Sequence, residues 1–177
     1  FKKKNIEVLL LTDRVDEWLM SHLTEFSDKK IQSILKGSLE LGKLDNDIET
    51  KSKKTEEYKD LINKIKEVLK DDVKDVRLTT RLTDSPSCIV VDEFDMTPQM
   101  ERIMKAAGQN IVHSKSILEL NPEHPLVKIL NEENSKEKFY DWSKILLDQA
   151  ILAEGGQLKD PISFVKRFNT LLLKLDN

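Results

Sequence analysis

The side chains able to do covalent or ligating chemistry are few and scattered. The 3 histidines, His22, His113 and His124, have neither one another nor a cysteine at the spacing a metal ion needs, and nearby acids read as surface or helix caps. The single cysteine, Cys88, sits in an apolar stretch with no adjacent basic residue to lower its pKa, so it reads as a buried, inert thiol. Ser85 and Ser87 lie in a turn without a Gly-x-Ser-x-Gly elbow, and no glycine-rich loop opens a helix to cradle a phosphate. Catalysis, a metal and a bound cofactor are therefore not expected in this chain. The methionines carry a different chemistry. Three of the 4 (Met96, Met100 and Met104) fall in one short segment beside Ile103 and Ala107. Thioether side chains are flexible and polarizable, and they fill irregular cores or adapt to irregular partners. Core packing is the more ordinary use of such a stripe, and a binding surface is the other.

The element that positions these methionines is predicted by its ends. Thr97 is an N-cap, Pro98 takes the first helical position, and Gly108 follows the last turn. A second pattern occupies the end of the chain. From Lys138 a helix places Phe139, Trp142, Leu146, Ala150 and Ala153 at helical spacing, widened by Ile145 and Ile151, and stops at Gly155-Gly156. Asp160 then caps a helix with Pro161 at its first position and a heptad-like seam of Val165, Phe168, Leu172 and Leu175. Ile162, Phe164, Leu171 and Leu173 give it a second apolar side. A helix apolar on two flanks needs two neighbours, and a second copy of the chain is one way to supply the other; burial in the chain's own core is the alternative.

The rest predicts an α+β chain. Ile6 to Leu11 reads as a buried strand, Asp13 caps a helix carrying Val15, Trp18, Leu19, Leu23 and Phe26, and Ile31 to Leu35 returns as a strand, a small βαβ unit. Residues 36–54 read as a solvated linker. Thr55 caps a helix with Tyr58, Leu61, Ile62, Ile65 and Leu69 on one face. Val76 to Leu82 alternates as a half-buried strand and pairs with Cys88 to Val91 as a long-looped hairpin. Ser116 to Leu120 is a further strand, and a short helix starts near Pro125. No sequence repeat relates these segments.

Charged residues make up 34% and aromatics 6% of the 177 residues, with a net charge of -3, so no basic field draws in nucleic acid. The longest apolar run is far below a membrane span, and no leader peptide is recognisable. One cysteine fits a reducing compartment, and the cytoplasm is the expected location. A chain that begins at Phe1 reads as a piece of a longer protein.

Several phrases together resemble the heat shock protein 90 family of molecular chaperones in its bacterial HtpG form. They are Glu7 to Trp18 (EVLLLTDRVDEW), Asp75 to Pro86 (DVRLTTRLTDSP), Gln99 to Arg102 with Ala106 to Gln109, Leu120 to Val127 (LNPEHPLV) and Leu146 to Gly156 (LLDQAILAEGG). The resemblance implies that residues 1–50 are the end of a middle domain and residues 51–177 a C-terminal dimerisation domain. In that domain the last two helices would pair with their symmetry mates as a four-helix bundle through Phe139, Trp142, Leu146, Ala150, Val165, Phe168, Leu172 and Leu175. It further implies that the methionine helix is an exposed element for partly unfolded client proteins. The implied client-contacting residues are Met96, Met100, Ile103 and Met104, with Glu17, Trp18 and Ser21 nearer the start; Ser21 departs from an asparagine of a bacterial relative. ATP and magnesium would be bound by an N-terminal domain that is not in this chain.

Overall fold

The computed structural model describes residues 1, 6–37, 54–110 and 114–175. The side chains of Arg14, Glu17, Lys174 and Leu175 lie outside the described residues, as do His113 and most of the predicted 36–54 linker. The described elements make an α+β chain divided into two compact units. One comprises residues 1–46 and 91–114, the other residues 47–90 and 115–177.

In the first unit, helix α1 (Arg14–Met20) is followed by strands β1 (Glu25–Phe26) and β2 (Lys29–Lys30), a two-residue antiparallel hairpin. Ser27 and Asp28 both take positive φ, 48° and 59°, the backbone a tight hairpin of matching twist demands. The predicted βαβ unit is not formed. Residues 6–12 have no strand, and Leu9, Leu10 and Leu11 are exposed. A short apolar run is compatible with a strand but does not make one without an edge to pair with. Its intended partner pairs elsewhere: the Val91 N–H donates to the Leu35 carbonyl and the Gly37 N–H to the Val91 carbonyl, at 2.9 and 2.8 Å. Helix α2 (Lys59–Val68) belongs to the other unit; helix α3 (Pro98–Ala106) completes this one, with the Thr97 hydroxyl accepting the Met100 N–H at 3.2 Å and Gly108 at φ +80°.

In the second unit, α2 (Lys59–Val68) leads into β3 (Asp75–Leu78). Helical structure is already present at Lys54, so Thr55 lies within it and is not its cap. Strand β4 (Ser87–Val90) and strand β5 (Ile117–Leu120) complete a three-stranded sheet of order β3-β5-β4. The predicted hairpin between the first two of these strands is therefore replaced. Strand β5 lies between them, parallel to β3 and antiparallel to β4. The reason is burial: all four β5 residues are buried, so this strand takes the place with a neighbour on each edge. Val76 to Leu82 also stops being strand after Leu78.

Helices α4 (Pro125–Glu132), α5 (Lys136–Ala153) and α6 (Pro161–Leu175) follow. Helix α5 lies on β4 and contacts α2, α4 and α6. Leu61, Ile65 and Leu69 meet Val76, Leu118 and Leu120, and Val127, Leu130, Phe139, Leu146 and Ala150 close the same core. The Ser87 hydroxyl donates to the Leu146 carbonyl at 2.7 Å, tying the edge strand to α5. Among the described residues no helix is long and apolar enough to cross a membrane.

Candidate protein-binding surfaces

Helix α3 buries a carboxylate rather than its methionines. Glu101 is its one buried residue, and its Oε1 accepts the Ser114 N–H and hydroxyl at 3.1 and 3.2 Å. Met100, Ile103 and Met104 are half-buried, Met96 is exposed and Ala107 is exposed. Spacing of three and four residues brings these side chains to one face, yet none is sealed from solvent. Phe94, which the sequence reading passed over, is 94% exposed in the turn closed by the Asp95 N–H on the Asp92 carbonyl at 3.1 Å. The signal available was an aromatic two residues before Met96, in a segment with turn character.

At the other predicted client-contacting position, Trp18 is 64% exposed on α1. Its ring lies 4.9 Å from the His22 ring at an interplanar angle of 52°. Ser21 is exposed, and its hydroxyl donates to the Trp18 carbonyl at 2.7 Å. Glu17 is helical, but its side chain is outside the described residues.

The eight predicted interface residues divide sharply. Phe139, Leu146 and Ala150 are in the chain's own core and Trp142 packs against it. The core-facing side of α5 explains this: it covers the sheet, and Leu146 and Ala150 have no exposed area within the chain itself. On α6 the arrangement is reversed. Leu171 is buried, while Val165, Phe168 and Leu172 are about half exposed, joined by Ile162 at 81% and Leu173 at 72%. Leu175 is helical, with its side chain outside the described residues. Asp160 caps this helix as expected, its Oδ1 accepting the Ser163 N–H at 3.0 Å.

A charge pair ties α6 to its neighbour. Arg167 donates to Asp148 on α5 at 3.1 Å; burial nevertheless holds the Asp148 carboxyl above its ordinary range, against the pull of Arg167. In the sheet, Glu119 is buried and accepts from both Arg77 and Arg81, with distances of 2.7 and 2.8 Å. Cys88 lies 3.8 Å from the same carboxylate, and burial, with the Glu119 charge next, pushes its thiol up to about 12.

Exposed, contiguous apolar side chains on one helix and incompletely covered methionines on another are surfaces with which proteins bind proteins. The family is explicit in the sequence: residues 1–176 match the family model described as Hsp90 protein, and the chain belongs to that family. It is 57% identical over 178 residues to the chaperone protein HtpG of Pseudoalteromonas translucida, covering 99% of this chain and 28% of the relative. Against the chaperone protein HtpG of Nitrosospira multiformis it is 58% identical over 175 residues, 98% of this chain and 27% of the relative. The Coxiella burnetii chaperone protein HtpG is 51% identical over 174 residues, again 98% of the chain and 28% of the relative. The chain thus spans little more than a quarter of the length of these curated relatives.

Proposed function

We propose that this chain is the dimerising, client-binding part of an ATP-dependent cytoplasmic molecular chaperone, with ATP and magnesium handled by a part of the protein outside it. The observation that carries the reading is the outer face of α6. Ile162, Val165, Phe168, Leu172 and Leu173 are exposed on a helix whose opposite side is already packed. Pairing this face with its symmetry mate buries like against like, as a two-fold interface requires. A four-helix bundle results when α5 and α6 of each copy meet, with the contacts coming from the exposed seam of α6 rather than from Phe139, Leu146 or Ala150.

Partly unfolded clients dock, in this reading, on Met96, Met100, Ile103 and Met104 and on Glu17, Trp18 and Ser21. Two such sites in one dimer raise the effective concentration of a bound client segment at the second site, so weak contacts add up to useful avidity. Residues 1–50 are then the end of a middle domain and residues 51–177 the dimerisation domain, although the methionine helix groups in space with the first compact unit. The rival reading is a dimerisation scaffold with no client binding of its own, its methionine helix packed away; the half-burial of Met100, Ile103 and Met104 weighs against it.

The test combines two variants. Leu172→Glu places a charge in the seam and is expected to give monomers by light scattering; a stable dimer would sink the interface. Met100→Ser with Met104→Ser, in a dimer of unchanged circular dichroism, is expected to weaken binding of a labelled, permanently unfolded client at least about ten-fold, since two apolar anchors are lost. Equal binding by this variant and the parent would remove the methionine face from the client site.

A further inference from the structure

Trp18 is held by two neighbours on its own helix. The carbonyl of Trp18 is one of those that the end of α1 leaves without an intrahelical partner beyond its last turn. Two side chains reach it: the Ser21 hydroxyl at 2.7 Å and His22 Nδ1 at 3.0 Å. A carbonyl oxygen only accepts, so Nδ1 carries a hydrogen in this arrangement. The Ser21 hydroxyl hydrogen is spent on the carbonyl. Its oxygen, 2.8 Å from Nδ1, is therefore free to accept a share of the same N–H. The three groups close a small ring of hydrogen bonds over the last turn, and that ring fixes where the imidazole lies. The imidazole in turn sits 4.9 Å from the indole, tilted at 52°, inside the range of favourable aromatic pairs. One flank of Trp18 is thereby occupied, while the side chain remains 64% exposed.

We infer that His22 is a positioning residue for the client-binding indole of Trp18, acting through its Nδ1–H on the Trp18 carbonyl and its ring against the indole, with Ser21 as the second donor. This deepens the client-binding reading and rests on it. Ser21, besides its place in the client-contacting set, then also acts through Trp18. An indole pre-set in one orientation gives up less rotamer freedom on binding than a free one. Losing that restraint is expected to weaken client binding roughly two- to ten-fold, the range that ordering one large side chain spans.

Asparagine at position 22 places an amide N–H where Nδ1 was but has no ring, whereas alanine has neither. The experiment is fluorine NMR of the chain labelled with 5-fluorotryptophan, which gives two resonances for Trp18 and Trp142, the former identified by its loss in Trp18→Phe. The same variants are titrated with the labelled unfolded client. His22→Ala is expected to shift the Trp18 resonance toward the free-indole position and to weaken client binding. His22→Asn is expected to recover at least half of the lost affinity, and Ser21→Ala to lose less than His22→Ala. If His22→Ala leaves both the Trp18 resonance and client binding unchanged while Trp18→Ala abolishes binding, the positioning role is overturned and the client site stands. If Trp18→Ala binds client as the parent does, this end of the client site falls; a Trp18 resonance indifferent to position 22 would separately overturn the His22–Trp18 coupling.

Discussion

Cys88 and Glu119 show how little a residue's type says about its role before its neighbours are known. Glu119 interrupts an apolar strand and would ordinarily face water, but it is buried beneath Arg77 and Arg81, with Arg77 donating to Oε1 and Arg81 spanning both carboxylate oxygens. Two cations around one carboxylate compensate the desolvation that a lone buried charge cannot survive. Neither arginine is adjacent in sequence to Glu119, so no local pattern exposes the cluster. Cys88, by contrast, was legible as inert, and the structure supplies the cause: burial first, then the negative charge of Glu119, push the thiol to about 12. At pH 8 a thiol of ordinary pKa is partly ionised, whereas this one holds on the order of a thousand-fold less thiolate. A thiolate of higher pKa is also the stronger nucleophile, so alkylation of the native chain by iodoacetamide at pH 8 is expected to run slower than that of a free cysteine by at least about ten-fold. Loss of this protection in urea, with the same reagent, would confirm that the fold imposes it; rapid labelling of the native chain would contradict it.

Elements were legible where their signals are local and illegible where a distant partner decides. Thr97 and Asp160 cap their helices, Pro98 and Pro161 stand at first positions, and Gly108 and Gly155 take positive φ after last turns, all as the residue types require. Strand pairing is not legible locally, because nothing in Val76 to Val91 reports that Ile117–Leu120 enters between the two strands. Residues 6–12 depart from the pattern for the opposite reason: their composition permits a strand, but a strand exists only as part of a pair. The same division runs through the candidate protein-binding surfaces. Helical spacing placed Val165, Phe168 and Leu172 together, while only the fold could tell that the matching stripe of α5 is spent on the core. The link between those helices offers an element-scale test. A Cβ on Gly156 would come within 2.7 Å of the Ile151 carbonyl oxygen, and a backbone atom cannot step aside as a side-chain tip can. Gly156→Ala is expected to cost about 1–3 kcal/mol, read as a lowered urea midpoint with unchanged slope. An unchanged midpoint would mean that the α5–α6 connection relaxes freely.

For the whole molecule, the ion pairs that tie distant segments set the response to acid. Asp72, in the turn after α2, accepts from Lys144 on α5 at 2.6 Å and faces Lys159, before α6, at 3.7 Å. Burial acts to raise its carboxyl and is the largest single influence, but the Lys144 hydrogen bond and the charges of Lys144, Lys159 and Lys115 together hold it below the ordinary range. Asp75, paired with Lys66 at 2.6 Å, is lowered in the same way against the same opposing burial. A carboxyl lowered in the folded state stabilises the fold above its unfolded pKa, about 3.9 for aspartate, and that contribution disappears as pH falls through the folded value. Asp148 runs the other way: raised by burial, it takes up a proton in the folded chain first, so its contribution grows as pH falls toward the ordinary range. Stability is thus expected to hold or rise slightly from neutral pH toward the ordinary carboxylate range and to fall below pH about 4. Lys144→Met removes the main cation on Asp72 and should flatten the acid limb without abolishing it, since Asp75 keeps Lys66. Thermal melts of both chains between pH 2 and 7 measure the difference. Parallel acid limbs would show that the Lys144–Asp72 pair carries none of the pH dependence, and that the tie between α2 and α5 rests on the apolar contacts of Leu61, Ile65 and Leu146 alone.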